Sequence, residues 1–360
     1  MSQAVHSAAK QLLSNWENPI GTDGFEFLEF AAADIEPLMA QFSALGFTQV
    51  ASHKDKNIRL FQQGDVRFLL NGETSGYSHQ FTLDHGPCAC AMAFRVKDAQ
   101  HALNQLIALG AVAFNSHEST LQLPVPAILG VGGSVIYLID TYETERPYLN
   151  DFIFDKTATT TGFGITYLDH VTHNVYRGHL DSGAAFYEKL FNFREIRYFD
   201  IEGKLTGLKS RAMTSPCGKI RIPVNESSDD KSQIEEYLRE YKGEGIQHIA
   251  MGTATIYDTV KKMRDHAIAF LSVPDSYYQA VNQRIEDHGE SVEALKELRI
   301  LMDGAPTKGQ GLLLQIFTQN MIGPIFFEII QRKGNEGFGE GNFQALFEAM
   351  EQDQMERGVL

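Results

Sequence analysis

The chain has 360 residues, 43% of them hydrophobic and 21% charged, and this size and composition predict a globular protein of two domains. Its net charge of −15, without any block of Lys and Arg, argues against a nucleic-acid partner, and no apolar run of about 20 residues could span a bilayer. The amino terminus lacks a signal-peptide pattern, and Cys88, Cys90 and Cys217 are too few for a disulfide framework, so we expect a cytoplasmic protein with reduced thiols.

The first half of the chain alternates strand and helix patterns after a polar lead-in at residues 1–19. Apolar residues recur at the period of a strand in some segments and at the period of a helix in others, and a polar loop is expected at 72–86. The strand patterns lie at 24–31, 47–71, 88–96 and 134–142, and the helix patterns at 34–47 and 98–111. The order is strand, helix and hairpin, followed by strand, helix and strand.

The second half repeats this order. Strand patterns lie at 164–175, 194–226, 245–253 and 298–332, and helix patterns at 181–193, 232–243, 256–268 and 275–298. Self-similarity on this scale indicates a duplicated fold. The sequence therefore predicts an α+β protein with a first domain at 20–155 and a second at 156–360. Each domain is expected to pair βαβββ modules into a curved, open, barrel-like sheet with flanking helices.

Three polar residues of the second half mark a candidate metal site. When the strand patterns of the two halves are aligned, each of the three residues corresponds to an apolar residue of the first half: His170 to Phe27, His248 to Ala91 and Glu328 to Leu138. Glu328 lies in an apolar strand pattern, where an unpaired carboxylate is costly to bury. Two imidazoles and one carboxylate on separate strands can occupy one face of an octahedral ion, as in non-heme Fe(II) oxygenases. The second half is thus expected to carry a site that the first half lacks.

The residues alone leave other interpretations open. A strand histidine is often a hydrogen-bonded core residue, and Arg332 could neutralise Glu328 as well as a metal could. In a strand His170 and His173 point to opposite faces, so we expect only His170 to reach the metal and His173 to pack on the other face. A zinc hydrolase would use similar ligands, with a water molecule in the open position.

Five motifs carry a family resemblance: LDHVTHNVYRG at 168–178, GEGIQHIA at 243–250, LLLQIF at 312–317, GPIFFEIIQRKG at 323–334 and GFGEGNF at 337–343. With them the chain resembles the 4-hydroxyphenylpyruvate dioxygenase family of the vicinal-oxygen-chelate superfamily, over residues 18–360. The resemblance implies one Fe(II) per chain, held by His170, His248 and Glu328. It also implies conversion of 4-hydroxyphenylpyruvate and O₂ to homogentisate and CO₂ in tyrosine and phenylalanine catabolism, by a homo-oligomer.

The same resemblance assigns the residues around the substrate. Gln247, beside His248, joins the three metal ligands as the catalytic set. The glycine-rich turn at 337–343 and the helix after it are expected to form a lid that excludes water. The resemblance assigns substrate contacts to polar residues that can hydrogen-bond a phenol or an oxo acid, namely Ser210, Asn225, Gln233, Gln247 and Gln315. It also assigns them to aromatic residues that line the site, namely Phe317, Phe338, Phe343 and Phe347.

Two rival functions are possible on this scaffold. Hydroxymandelate synthase shares the substrate, the iron and the ligand set but oxidises the benzylic carbon, and the motifs GFGEGNF and LLLQIF favour the dioxygenase. A metal-free binding paralogue is disfavoured because all three candidate ligands are present. The first half, with Phe27, Ala91 and Leu138 in place of ligands, is expected to serve packing and oligomer contacts without chemistry.

Overall fold

The chain folds into two large sheets flanked by helices. The computed structural model describes residues 16–115, 125–143, 146–202 and 207–345. The strands in this part are β1 (Thr22–Ala31), β2 (Thr48–His53), β3 (Ile58–Gln63), β4 (Val66–Asn71), β5 (Cys88–Val96), β6 (Ala127–Leu129), β7 (Val135–Ile139), β8 (Phe152–Phe154), β9 (Ile165–Val175), β10 (Arg194–Glu202), β11 (Gly207–Thr214), β12 (Arg221–Ser227), β13 (Gly245–Thr253), β14 (Leu301–Gly304), β15 (Leu312–Phe317) and β16 (Phe326–Lys333). The α-helices are α1 (Glu36–Ala44), α2 (Tyr77–His85), α3 (Ala99–Ala108), α4 (Leu180–Phe191), α5 (Gln233–Tyr241), α6 (Ile256–Asp265), α7 (Asp275–Gln279), α8 (Val281–Arg284) and α9 (Val292–Leu298).

The two sheets repeat one topology. Each has eight strands, in the order β6-β7-β5-β1-β4-β3-β2-β8 for the first and β10-β11-β12-β9-β13-β16-β15-β14 for the second. The central strand β1 is antiparallel to β5 and parallel to β4, and β9 relates in the same way to β13 and β12. Hydrogen bonding therefore confirms the duplicated α+β fold that the strand and helix patterns predict.

Strand register corrects one of the predicted matches between the halves. Glu328 pairs across the second sheet with Ala250, and Tyr137 pairs across the first sheet with Ala93. On its other side Ala250 pairs with His170 in the central strand β9, and Ala93 pairs with Phe27 in the central strand β1. Glu328 therefore corresponds to Tyr137, and the predicted match to Leu138 is wrong by one residue. A shift of one residue moves a side chain to the other face of a strand.

The inner side of the first sheet is filled by side chains. Its separate buried cluster includes Phe27, Ala91 and Tyr137, which correspond to the three candidate ligands of the second sheet. The Phe27 ring lies 5.7 Å from that of Tyr137 and 5.3 Å from that of Tyr148, measured between centroids. These side chains occupy the space that the candidate metal site occupies in the second half.

The polar loop expected at 72–86 is wrong in part, because Tyr77–His85 forms helix α2. This helix has no side-chain cap at its amino terminus and lacks a clear apolar stripe. Tertiary contacts hold it instead: Phe81 is buried, and Ser78 Oγ donates to Glu29 Oε1 at 2.9 Å. A helix that depends on such contacts gives little periodic signal in the sequence.

Three expectations concern the organisation of the chain. Along the chain, β8 is the last strand of the first sheet and β9 is the first strand of the second sheet. The domain boundary expected between residues 155 and 156 lies between these two strands and stays a prediction. Within the described ranges no helix is both long and apolar enough to cross a membrane. Cys88 and Cys90 are buried, Cys217 is half-buried, and all three are free cysteines.

Candidate metal centre

Three adjacent strands bring His170, His248 and Glu328 together. They lie in β9, β13 and β16, and β13 is hydrogen-bonded to both of the other strands. Nε2 of His170 lies 3.1 Å and Nε2 of His248 lies 3.6 Å from Glu328 Oε2. One possible ligand atom of each residue lies within 4.8 Å of the other two. The sheet therefore gathers side chains that are far apart in the sequence.

Two β-bulges turn the residue before each histidine toward the site. In a regular strand neighbouring side chains point to opposite faces. The pairing of β13 with β9 shifts register at Gln247 and again at Asp169, so that each of these is an extra residue in its strand. The bulges explain how the side chains of Asp169 and Gln247 lie beside the imidazoles of His170 and His248.

These two extra residues hold both imidazoles in one orientation. Nδ1 of His170 lies 2.8 Å from Asp169 Oδ1, and Nδ1 of His248 lies 2.8 Å from Gln247 Oε1. Because the oxygens of a carboxylate and an amide only accept hydrogen bonds, each Nδ1 is the donor. Both Nε2 atoms are left directed at Glu328, and metal-binding histidines are commonly held by such a bond from the other ring nitrogen.

The charges around the site differ between the two histidines. Burial, reinforced by the nearby His170, holds the pKa of His248 well below its ordinary value, so this imidazole is neutral. Burial also acts to lower the pKa of His170, but the carboxylates of Glu328 and Asp169 outweigh it and raise that pKa. Burial acts to raise the pKa of Asp169, but Arg332 above all holds it well below the usual range. Asp169 is thus ionised and neutralised by Arg332, which leaves the Glu328 carboxylate to attract a cation.

The residues present fit a divalent transition metal. Glu328 Oε1 is buried and has no hydrogen-bond partner in the part of the chain that the structure describes. A buried carboxylate oxygen without a partner is costly unless a cation meets it. Two imidazole nitrogens and one carboxylate oxygen are also the donor set of non-heme Fe(II) sites, which keep positions open for substrate and O₂.

The alternative partner for Glu328 is wrong, because Arg332 binds Asp169. Nε of Arg332 donates to Asp169 Oδ2 at 2.7 Å, and Nη2 donates to Oδ1 at 2.8 Å. Sequence reasoning missed Asp169, although an acidic residue next to a histidine in an apolar strand pattern was a visible signal. Arg332 therefore acts on the site through Asp169 and His170.

Two further neighbours of His248 were also missed. Thr172 Oγ1 lies 2.9 Å from His248 Nε2, and the Phe326 ring stacks on the imidazole with centroids 5.0 Å apart and planes 15° apart. Thr172 pairs with His248 across β9 and β13, while Phe326 pairs with it across β13 and β16. Only the strand register, which the sequence does not give, places these two side chains at the site.

His173 packs on the other face of β9, as predicted. It is fully buried, and its Nε2 lies 3.4 Å from the Tyr187 hydroxyl in α4. Burial lowers the pKa of His173 to about 4, because a charged imidazole there would lose its hydration. This histidine is therefore neutral and structural at neutral pH.

The depressed pKa of His173 predicts a loss of stability in acid. Between pH 6.5 and about 4 the unfolded chain binds a proton that the folded protein excludes, so stability falls as the pH falls. We expect the free energy of unfolding to drop, between neutral pH and a pH just above 4, by about 2 kcal/mol more in the wild type than in a His173→Gln variant. Urea unfolding of both proteins at the two pH values measures this. Equal losses in the two proteins would contradict the assignment.

The polar residues expected around the substrate lie on neighbouring strands. Ser210 in β11 is buried and pairs with the half-buried Asn225 in β12, which adjoins β9. Gln247 is 7% exposed and contacts His248 as described above. Gln315 in β15 is 1% exposed, and its Oε1 has no hydrogen-bond partner among the residues described. Gln315 therefore offers a free acceptor to a ligand, and the role of all four in substrate binding stays a prediction.

Aromatic rings surround the two imidazoles. The Phe317 ring lies 6.3 Å from that of His248, and the Phe338 ring lies 5.3 Å from that of His170. Phe338 is 9% exposed, and Phe343 is half-buried in the helical residues 340–345 that follow the turn. The turn expected to act as a lid thus lies over His170 in this structure.

Two predicted substrate residues remain, one exposed and one outside the described residues. Gln233 is solvent-exposed at the first position of α5, after the N-cap Ser232. Its side chain lies on the polar face of that helix, whose buried residues are Ile234, Tyr237, Leu238 and Tyr241. Phe347 lies outside the described residues.

Comparison with family models gives one match in each half of the chain. The family model described as the amino-terminal part of hydroxyphenylpyruvate dioxygenase matches residues 16–156. The model of the glyoxalase, bleomycin resistance protein and dioxygenase superfamily matches residues 167–291. The second match confirms the glyoxalase-type, vicinal-oxygen-chelate fold expected from the sequence.

Similar proteins match nearly the whole chain. A 4-hydroxyphenylpyruvate dioxygenase of Pseudomonas aeruginosa is 58% identical over 348 residues, which are 95% of this chain and 97% of the relative. Hemolysin VllY of Vibrio vulnificus is 56% identical over 350 residues, which are 95% and 98% of the two chains. A 4-hydroxyphenylpyruvate dioxygenase of Legionella pneumophila strain Corby is 53% identical over 343 residues, again 95% and 98%.

Two solved structures share the fold. A fusion of a xylose isomerase-like TIM barrel with 4-hydroxyphenylpyruvate dioxygenase is 32% identical, with a TM-score of 0.78, and this chain spans 57% of its length with 98% of its own. A triple mutant of 4-hydroxymandelate synthase from Streptomyces coelicolor is 25% identical, with a TM-score of 0.79 and coverage of 93% of this chain and 99% of that one. Identity of more than half over nearly the full length, on a duplicated fold with three converging candidate ligands, shows that this chain belongs to the 4-hydroxyphenylpyruvate dioxygenase family.

Proposed function

We propose that this protein is an Fe(II)-dependent dioxygenase that converts 4-hydroxyphenylpyruvate and O₂ to homogentisate and CO₂ in tyrosine and phenylalanine catabolism. The observation that carries the proposal is the convergence of His170, His248 and Glu328, whose possible ligand atoms lie within 4.8 Å of one another. The names of the relatives that are 58% and 53% identical support the choice of substrate. One such group among the described residues supports one iron per chain.

The residues of the site have separate tasks in this reaction. His170, His248 and Glu328 would hold the iron and leave positions at which the 2-oxo acid of the substrate could chelate it and O₂ could be activated. Gln247 fixes the orientation of His248 by accepting a hydrogen bond from its Nδ1–H group. Gln315 offers its free carbonyl oxygen to a donor of the substrate or of an intermediate. Phe317 and Phe338 flank the imidazoles and exclude water from the aromatic ring, which protects a reactive oxidant from side reactions.

Oxygen consumption tests the proposal. With Fe(II), ascorbate and 4-hydroxyphenylpyruvate, we expect one O₂ to be consumed per substrate molecule, because the reaction places both oxygen atoms in its products. No added 2-oxoglutarate is needed, since the substrate carries its own 2-oxo acid. The same protein loaded with Zn(II) is the control and is expected to consume no O₂. Absence of uptake with Fe(II), or a hydrolytic activity with Zn(II), would contradict the proposal.

Hydroxymandelate synthesis is the second candidate, supported by the structural similarity to a hydroxymandelate synthase at 25% identity. It requires the same iron, substrate and O₂, so oxygen uptake does not separate the two reactions. The dioxygenases named above are similar at more than twice that identity, which favours homogentisate as the product.

We also propose that the protein is a cytoplasmic homo-oligomer, a dimer or a tetramer, with the chemistry confined to residues 156–360. The resemblance to bacterial members of the family supports the assembly, and the three free cysteines agree with a reducing compartment. The packed interior of the first sheet, with Phe27 and Tyr137 at the positions of candidate ligands, supports a structural role for residues 20–155.

A further inference from the structure

One guanidinium joins the candidate ligand His170 to the turn that covers it. Nδ1 of His170 donates a hydrogen bond to Asp169 Oδ1 at 2.8 Å. The planar fork of the Arg332 guanidinium donates to both oxygens of Asp169, from Nε to Oδ2 at 2.7 Å and from Nη2 to Oδ1 at 2.8 Å. On its other side Nη1 of Arg332 donates to the backbone carbonyls of Asn335 and Gly337, at 3.0 and 2.7 Å. The same side chain thus binds the partner of the histidine and the backbone of the turn.

Phe338, the next residue of the turn, completes this set of contacts. Its ring lies 5.3 Å from the His170 ring at 71°, and its centroid lies 5.8 Å from the guanidinium carbon of Arg332. The side chains of Arg332 and Asp169 are 8% and 0% exposed. Because the ion pair is shielded from water, its geometry is held tightly, and displacement of one member leaves a buried charge unpaired.

The internal repeat shows which part of this arrangement belongs to the fold. Glu26 is the extra residue in the corresponding bulge of β1, and it is paired with Arg95 at 2.6 Å, Arg146 at 2.7 Å and Arg67 at 3.8 Å. By strand register Arg67 corresponds to Arg221, which lies 3.3 Å from Asp169. A buried carboxylate paired with arginine therefore supports this bulge in both halves, with or without candidate ligands beside it.

The strand position of Arg332 is specific to the second half. Continuing the register of β7 and β16 beyond Ile139 places Thr141 at the position that corresponds to Arg332. In the first half Arg95 and Arg146 pair with the bulge residue Glu26 instead, without an arginine at this position. The bonds from Arg332 to the turn at 335–337 are likewise found beside the candidate ligands.

We propose that Arg332 is a positioning residue that couples His170 to the covering turn, so that metal binding at His170 and closure of residues 335–338 stabilise each other. A metal that fixes His170 also fixes Asp169 and the fork of Arg332, which presents Nη1 to the carbonyls of the turn. Such coupling is reciprocal, since a closed turn holds the same fork in place for the metal. The inference rests on the proposed function only in requiring a divalent metal at His170.

Hydrogen exchange of the backbone amides at 335–343 tests this coupling without turnover. In the wild type, Co(II) as the probe metal is expected to slow exchange of this segment by about tenfold, within the range of typical couplings between sites. The Arg332→Lys variant keeps a charge for Asp169 but loses the planar fork that binds two partners at once. It is expected to bind Co(II) about tenfold more weakly and, when saturated with metal, to show no slowing of exchange in the segment.

The matched control is Glu336→Gln. Glu336 belongs to the same turn, and its 63% exposed side chain pairs with Arg221 at 2.6 Å. Because the Glu336 carboxylate is largely in solvent, its loss should cost little, and Arg221 is expected to keep its contact with Asp169 at 3.3 Å, so this variant should keep the full response to Co(II). The Asp169→Asn variant is a second test that does not depend on whether Arg332→Lys folds. It keeps an acceptor for His170 but weakens the interaction with Arg332. The slowing of amide exchange by Co(II) should therefore also be smaller in this variant.

Three outcomes would overturn the coupling: an Arg332→Lys variant that keeps the wild-type response, a Glu336→Gln variant that loses it, or a wild type whose turn does not respond to Co(II). Each is read from the exchange of the turn and not from activity. If the wild type shows the response but does not consume 4-hydroxyphenylpyruvate, the proposed function fails and the coupling stands.

Discussion

A Glu328→Ala variant is expected to lose O₂ uptake with 4-hydroxyphenylpyruvate while remaining folded. Removing the carboxylate takes away one of the three candidate ligands together with its negative charge, so the metal is no longer held. We expect a loss of at least about a thousandfold, equivalent to about 4 kcal/mol of the stabilisation that a bound metal supplies. The metal-free protein should lose the contact of Glu328 Oε2 with His170 Nε2 at 3.1 Å but remain folded, because Glu328 Oε1 has no hydrogen bond to lose among the described residues. Oxygen uptake, Co(II) titration and thermal unfolding measure the three effects.

The matched control is Glu29→Gln, a change at a buried carboxylate in the interior of the first sheet. Glu29 Oε1 accepts hydrogen bonds from Asn71 Nδ2 at 2.7 Å and from Ser78 Oγ at 2.9 Å. Weakening these bonds should reduce the free energy of unfolding by about 1–3 kcal/mol and leave oxygen uptake per folded molecule unchanged. Normal uptake by the Glu328→Ala variant would show that the metal site is assigned wrongly.

A Gly339→Ala variant is expected to lower kcat/KM by about a hundredfold without preventing metal binding, since small displacements of groups around a substrate have effects of this size. Gly339 has φ of +78°, and a Cβ there would collide with the amide of Gln315. Either the Gln315 amide or the turn must therefore shift, and a shift of the turn would also carry Phe338, directly before Gly339, from its place against His170. Steady-state kinetics with a parallel Co(II) titration measure both quantities.

Gly334→Ala separates the collision from backbone strain. Gly334 has φ of +87°, but a Cβ there would meet the nearest atom, Cα of Gly311, at 3.7 Å. Both variants force alanine into the left-handed region, at a cost of about 1–2 kcal/mol. Only Gly339→Ala also brings a Cβ into collision with the Gln315 amide. If the two variants lost kcat/KM to the same extent, strain alone would explain the effect and close packing of the turn on Gln315 would not matter.

Much of the fold could be predicted because its strands and most of its helices follow their characteristic periods. The helices at Gln233–Tyr241 and Ile256–Asp265 have the strong apolar stripe that the patterns predict. Helix Tyr77–His85 was missed because contacts to other elements hold it. The match of Glu328 to Leu138 failed because every residue of Val135–Ile139 is buried, so no alternation marks the two faces of that strand.

The candidate ligands could be found because polar residues in apolar strands are costly and therefore informative. The residues that hold them were harder to find. Asp169 and Gln247 reach the imidazoles through β-bulges, and a bulge breaks the alternation from which faces are predicted. Arg332 was considered as a partner for Glu328, and only the structure shows that its guanidinium turns to Asp169 and to the turn. Gln233 resembles a substrate residue by motif, yet it lies exposed on α5.

Identification of the product tests the central claim most directly. The protein is incubated with Fe(II), ascorbate, 4-hydroxyphenylpyruvate and ¹⁸O₂, the products are separated, and their masses are measured by mass spectrometry. We expect homogentisate that carries two ¹⁸O atoms, one in the new ring hydroxyl and one in the carboxylate, together with one CO₂ per molecule. Formation of hydroxymandelate, or recovery of unchanged 4-hydroxyphenylpyruvate from protein that has bound iron, would contradict the account.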